Sequence, residues 1–255
     1  MKLCRFQTDV KSDPGYGLIE GDFVQPLIGS DPFVENLTVS QNRIPLSEIK
    51  LLAPVVPSKI VCVGRNYREH AAELGNPMPA EPLLFLKAPS AIISTGEAII
   101  LPAQSVQVEH EGEIGVVIGR SASKIEEADD PLRYVFGYTC VNDVTARDLQ
   151  RRDVQFTRAK SFDTFCPVGP YIATDLDPSD LLLTTRVNDE IKQQARASRM
   201  AFSIPTLLRY ISQMMRLNPG DLIATGTPAG VSRLTHGDIV EVEVEGVGTL
   251  RNNVI

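Results

Sequence analysis

Between Gln107 and Ile118 the chain reads Gln-Val-Glu-His-Glu-Gly-Glu-Ile-Gly-Val-Val-Ile, with carboxylates at 109, 111 and 113. In an extended strand side chains alternate, so Glu109, Glu111 and Glu113 share one face and Val108, His110 and Gly112 the other. Same-face Cα atoms then lie about 6.6–6.8 Å apart. At that spacing two carboxylates can lean onto one hard cation, at oxygen–metal distances of about 2.0–2.6 Å. A solvated face is the other reading, and the chain holds an example of it. Glu241, Glu243 and Glu245 alternate with Val240, Val242 and Val244, one face for water and one for the core. Residues 114–118 differ because both faces are apolar, so this strand enters a buried layer with Glu111 and Glu113 at its entrance. Two ionised carboxylates there repel and lose hydration, which calls for a cation or a shared proton.

A third acid, Asp143, follows an apolar strand at Tyr134 to Val141; capping of the next helix is its alternative role. With oxygen ligands and no Cys/His cluster, such a site would select Mg²⁺ or Mn²⁺ over zinc. His70 and Glu73 stand three apart, so on a helical turn they share a face. Asn66 is placed to cap that turn and Gly75 to stop it, and Pro77, Pro79 and Pro82 make the following loop irregular.

Around these residues the chain is strand-rich. Short apolar runs at 60–63, 83–86, 106–118, 134–141, 222–225, 239–244 and 248–254 read as strands, and 145–155 as a helix. A further helix starts near Ser203 with Pro205 in its first turn, carrying Leu207, Leu208, Ile211, Met214 and Met215 as a core-facing stripe. Pro54 and Pro57 separate a small N-terminal unit, residues 1–56, from a larger one, residues 57–255.

The chain has 255 residues and a formal charge of −7, which argues against a nucleic-acid binder. No apolar run approaches the roughly 18–20 residues that span a bilayer. The first residues turn polar at once, and the four cysteines are widely spaced; both point to a reduced, cytoplasmic protein.

The sequence resembles the fumarylacetoacetate hydrolase family, which includes acylpyruvate hydrolases, oxaloacetate decarboxylases and hydroxyheptadienedioate isomerases. The resemblance runs from about Lys59 to Val254. It is carried by Gly64-Arg65-Asn66-Tyr67 with His70 and Glu73, Phe85-Leu86-Lys87, Glu111-Gly112-Glu113 and Asn142-Asp143-Val144-Thr145-Ala146-Arg147-Asp148-Leu149-Gln150. Ala159-Lys160-Ser161-Phe162-Asp163, Pro167-Val168-Gly169-Pro170 and Thr225-Gly226-Thr227-Pro228-Ala229-Gly230-Val231 complete it. One departure is Val187-Asn188-Asp189-Glu190, where relatives usually read Val-Asn-Gly-Glu, which puts that turn's backbone geometry in question.

The resemblance implies an α+β, β-rich fold: a mixed β-roll catalytic domain, a small N-terminal β domain and a homodimer. It implies that Glu111, Glu113 and Asp143 bind Mg²⁺ or Mn²⁺. It makes His70 and Glu73 a dyad in which Glu73 orients His70 and His70 takes a proton from water. Lys160 becomes a cation near the substrate oxygens, a surface lysine being its plainer reading, and Gln150 an oxyanion donor. Arg147 supports the acids, Gly226 and Thr227 contact the substrate carboxylate, and Arg65 contacts an anionic substrate end or a lid over residues 66–82. Asp163 orders Lys160 or caps a loop, His236 is exposed, and His110 is left without a role.

A 2-oxo acid offers adjacent carboxylate and keto oxygens that chelate a hard cation, and charge developing on the keto oxygen is then stabilised. Hydrolysis of acylpyruvates, decarboxylation of oxaloacetate and enol–keto isomerisation all use that charge. The first two are the leading expectation and isomerisation the alternative. A non-enzymatic ligand-binding module stabilised by a cation is a third possibility.

Overall fold

Glycine and proline cut the chain into short strands, and side-chain alternation decides which face of a sheet each residue meets. The computed structural model describes residues 1–9, 12–33 and 37–255. Its large sheet runs, in spatial order, Ile44–Pro45, Phe23–Pro26, Gly15–Glu20, Lys2–Gln7, Cys166–Ala173, Val135–Asn142, Gly112–Ile118, Leu222–Ala224, Ile60–Gly64 and Leu83–Lys87. Along this path only Leu222–Ala224 and Ile60–Gly64 are parallel. A second sheet orders Glu190–Arg196, Leu182–Val187, Ile239–Val244, Gly248–Val254 and Ala98–Ile99. The architecture is thus the strand-rich, mixed-sheet α+β class expected from the sequence.

Gly112–Ile118 is buried at every position because both its faces are covered. Ile114, Val116 and Ile118 pack with Leu183, Val242 and Leu250 of the second sheet and with Leu207, Leu208 and Ile211. Val117 packs on the opposite side with Val141, Leu222 and Ala224. The helix bearing Leu207 is Ile204–Met214, capped by the Ser203 hydroxyl, which accepts from the Thr206 N–H. Met214, predicted to continue its apolar stripe, instead points outward and is 53% exposed. On Ile239–Val244 the valines are buried, while Glu241 and Glu243 pair at the surface with Arg251 and Arg186.

Four local expectations are overturned. The strand expected over 106–118 is two pieces, Val108–Glu109 and Gly112–Ile118, interrupted at His110 and Glu111. The first piece pairs with Thr145–Ala146, so the helix expected from Thr145 starts only at Arg147, as α2, Arg147–Arg152. Asp143 therefore caps nothing: the residue before α2 is Ala146, with no side-chain cap. Asn66 is not a cap either. It precedes Tyr67 and α1, Arg68–Glu73, and its amide group bonds the main chain of Phe202 and Thr225 instead. Gly75, at φ +67°, ends α1 as predicted.

At the Val187–Glu190 departure, Asn188 and Asp189 both adopt positive φ, 51° and 67°. That is a primed hairpin turn, which Asn and Asp tolerate without glycine. The N-terminal strands extend the large sheet, Lys2 pairing with Ala173. No described helix is long and apolar enough to cross a membrane.

Candidate active site

Antiparallel pairing assembles the acids. Gly112 lies opposite Asn142, so the residues that flank them, Glu111 and Asp143, also face each other. The Asp143 N–H donates to the Glu111 carbonyl at 2.8 Å, and the Asn142 side-chain oxygen accepts from the Glu111 N–H at 3.0 Å. Glu113, one residue along the strand, completes a buried cluster in which one carboxylate oxygen from each acid lies within 4.8 Å of the others. These acids floor a cavity of about 190 Å³ that is also lined by Arg65, His70, Arg147, Gln150, Lys160 and Thr227. Glu109 leaves the expected row because the strand is interrupted; it accepts from Arg147 Nε at 2.7 Å.

Buried cations hold three of the four acids. Arg147 also donates to Glu111 and, at 2.6 Å, to Gln150 Oε1. Lys160 Nζ bridges Glu111 and Asp143 at 2.7 and 2.6 Å, and Lys87 Nζ donates to the other Asp143 oxygen at 2.6 Å. Burial alone would raise the Glu111 carboxyl, but Lys160 and Arg147 hold it well below the usual range. Burial opposes the charge of Lys160, yet Asp143 and Glu111 keep its pKa at about 12. Among the described residues Glu113 lacks such a partner and accepts only the Gly226 N–H, at 2.7 Å. Burial and the neighbouring Asp143 and Glu111 charges push its carboxyl well above the ordinary value. Three convergent carboxylates, one of them uncompensated, form an oxygen-only donor set that fits a hard divalent ion.

His70 is buried, and its Nδ1 lies 3.1 Å from Glu73 Oε2. A carboxylate only accepts, so Nδ1 carries the proton and Nε2 is left as a base. Glu73 is fixed in turn by the Gly230 N–H, 3.0 Å from its Oε1. The Gln150 carbonyl is occupied by Arg147, which leaves its amide hydrogens as the donors. Thr227 lines the cavity, but its hydroxyl donates to the Gly112 carbonyl at 2.8 Å and accepts from Gln193 at 2.7 Å. Gly226 holds Glu113 through its N–H rather than lining the cavity; at φ +98°, an added Cβ would stand 2.7 Å from Asn66 Cβ. Asp163 is exposed and does not touch Lys160, whose charge is met by Glu111 and Asp143. His236 is exposed, as expected.

Reading the sequence missed Lys87, Gln193 and His110 as parts of the site. Lys87 ends an apolar strand, a lone charge that was a usable signal. Gln193 has none: it sits among polar neighbours on Glu190–Arg196, yet is 1% exposed. Its Oε1 accepts the Gly112 N–H at 3.0 Å and faces His110 Nδ1 at 3.2 Å, while its amide donates to Thr227 and to the Pro228 carbonyl. His110 must therefore be protonated at Nδ1, its Nε2 accepting from Ser232 at 2.9 Å. Gln193 thus grips the peptide between Glu111 and Glu113 on its N–H side and, through Thr227, on its carbonyl side.

His70, paired with Glu73, and a buried acidic cluster open into one cavity, the arrangement of an enzyme's site. The chain belongs to the fumarylacetoacetate hydrolase family: residues 59–255 match "Fumarylacetoacetate (FAA) hydrolase C-terminal". Residues 1–54 match "Rv2993c-like, N-terminal". The chain is 51% identical over 249 residues to Protein Rv2993c of Mycobacterium tuberculosis, covering 94% of this chain and 93% of that one. It is 44% identical over 225 residues to the oxaloacetate tautomerase YisK of Bacillus subtilis, covering 82% of this chain and 74% of the relative. The crystal structure of 2-hydroxyhepta-2,4-diene-1,7-dioate isomerase from Mycobacterium marinum superposes with a TM-score of 0.90 at 42% identity, covering 100% of this chain and 98% of that one.

Proposed function

We propose that this chain is a divalent-metal-dependent enzyme of 2-oxo acids that moves a proton at C3, the carbon beside the keto group, and so interconverts keto and enol forms. The observation that carries this reading is the opening of the Glu111–Glu113–Asp143 cluster and of His70 into a single cavity. Glu111, Glu113 and Asp143 would hold Mg²⁺ or Mn²⁺, which when bound supplies positive charge against the carboxylate and keto oxygens. Lys160 adds a fixed, desolvated positive charge beside the same oxygens, and the Gln150 amide offers neutral donors. His70 Nε2 accepts the C3 proton, with Glu73 stabilising the imidazolium through Nδ1. The proton returns to the keto oxygen, so a C–H bond breaks and an O–H bond forms. The names of the Bacillus subtilis and Mycobacterium marinum relatives support this choice among the family's reactions.

Hydrolysis of acylpyruvates is the second reading, favoured by the same His70–Glu73 geometry. There His70 takes a proton from water, the hydroxide adds to the acyl carbonyl and the C3–C4 bond breaks, releasing pyruvate and a carboxylic acid. Decarboxylation of oxaloacetate would use the same cation site and needs no base. The reading also carries a cytoplasmic homodimer, for which light scattering is the test.

The deciding experiment follows enol absorbance of oxaloacetate, and pyruvate release from oxaloacetate and from acetylpyruvate, with Mg²⁺, Mn²⁺ or EDTA. Faster enol decay with metal, falling about 10²- to 10⁴-fold in His70→Ala, is the expected result. Acetylpyruvate cleavage outpacing it would select hydrolysis, and full activity in EDTA would refute the metal site.

A further inference from the structure

Charge in the cavity is not balanced for a substrate with one carboxylate. Four buried acids, Glu109, Glu111, Glu113 and Asp143, stand against three buried cations, Lys87, Arg147 and Lys160. A divalent ion turns that deficit of one into a surplus of one. Two more cations line the cavity without an acid of their own. Arg151 donates to the neutral Gln107 side chain at 3.2 Å. Arg65 has neither hydrogen bond nor ion pair among the described residues.

Arg65 is also held in an unfavourable conformation. Its φ is +56°, in the left-handed region that non-glycine residues occupy at an expense of about 1–2 kcal/mol. The fold imposes this from both sides: Gly64 ends the strand Ile60–Gly64, and Asn66 is pinned to Phe202, Thr225 and Ala201. Strain of this kind, imposed on a residue with no structural partner, marks a functional group set in advance. The remaining cavity wall includes Val63, Leu74, Phe85 and Phe156, which offer an anion nothing.

Resting on the reading of the cavity as a 2-oxo acid site, we propose that Arg65, assisted by Arg151, is the subsite for a second carboxylate, so that the enzyme selects dicarboxylic over monocarboxylic 2-oxo acids. The first carboxylate and the keto oxygen lie at the acidic cluster. The far carboxylate meets the unneutralised Arg65 guanidinium, whose backbone the fold has already set. A dianion leaves the loaded cavity with a surplus of one charge, whereas a monoanion leaves two.

The test is calorimetric binding to the full chain with Mn²⁺, using three ligands that do not enolise at C3: 3,3-difluorooxaloacetate, 3,3-difluoro-2-oxobutyrate and oxalate. The first two share a head and differ only at the far end. Wild type should prefer the dicarboxylate by about 10- to 100-fold, the range of one charged hydrogen-bonded pair. Arg65→Gln should bring that ratio close to one, Arg65→Lys should keep part of it, and oxalate affinity should be the same in all three proteins. An unchanged ratio in Arg65→Gln overturns the subsite, as does an equal loss for all ligands. Wild type that binds none of the three, with or without Mn²⁺, overturns the 2-oxo acid reading itself.

Discussion

Gly112, between two of the acids, lies against Thr185 and Gln193 of the second sheet, and Gly112→Ala tests whether that approach sets the site. A Cβ built there would lie 2.0 Å from Thr185 Oγ1, 3.2 Å from Thr185 Cβ and 3.4 Å from Gln193 Oε1. The first distance is far inside van der Waals contact, so the strands Gly112–Ile118 and Leu182–Val187 must part or Thr185 must turn. Overpacking of this kind costs about 1–3 kcal/mol. Thr185 Oγ1 is itself buried with no hydrogen-bond partner among the described residues, so Thr185→Ala alone should be close to neutral. In the double variant the nearest atom becomes Thr185 Cβ at 3.2 Å, a tight but tolerable contact. Urea denaturation of the wild type, both single variants and the double variant closes a thermodynamic cycle. We expect Gly112→Ala to lose about 1–3 kcal/mol, more than half of it restored by Thr185→Ala. Mn²⁺ affinity should fall and recover in parallel, because residue 112 links two of the acids. A single variant within about 0.5 kcal/mol of wild type, or no recovery in the double variant, would refute the reasoning.

Glu113→Gln should separate the acid's two effects. Without metal, burial and the neighbouring Asp143 and Glu111 charges penalise an ionised Glu113, so the variant, which removes that charge, should melt no lower than wild type in EDTA. It should lose most of the thermal stabilisation by Mn²⁺ that wild type shows; equal stabilisation would exclude Glu113 as a ligand. His110 gives a pH dependence whose sign follows from its burial, which lowers its pKa from 6.5 to about 4. Above pH 6.5 it is neutral in both states; below, the unfolded chain takes the proton first, so stability falls with acidification until about pH 4. The loss amounts to roughly 3 kcal/mol at about 1.4 kcal/mol per pH unit. The difference in stability between wild type and His110→Gln should therefore narrow from pH 7 to pH 4, and a constant difference would contradict the burial argument.

Much of this was readable from residue order. The Val/Glu alternation at 239–244, the Ser203 cap with Pro205 behind it, and the apolar run at 114–118 each carry a local physical cause, and each took the structure expected of it. What escaped was decided by distant partners. The break at His110 is invisible locally because Val108–Glu109 turns aside to pair with Thr145–Ala146, and that pairing also shortens α2. Asn66 looked like a cap, but residues 136 and 159 positions further on claim its side chain. Gln193 reaches the site only because the second sheet packs across the first, a juxtaposition without a sequence pattern. Lys87 was the exception, since a lysine closing an apolar strand asks for a buried acid, and Asp143 answers.

The placement of Lys2–Gln7 beside Cys166–Ala173 bears on how the polypeptide assembles itself as it is made. The opening meander of Lys2–Gln7, Gly15–Glu20 and Phe23–Pro26 can close as soon as it emerges, but the neighbour for its other margin includes Ala173. At about 5–20 residues per second, a ribosome needs on the order of ten to thirty seconds to deliver it. Arg5–Gln7 find their partner early in Lys50–Leu52, but Lys2 and Leu3 stay open to strands of nascent chains on the same messenger through that interval. That short opening is where crowded synthesis can trap a wrong pairing before the late strand arrives.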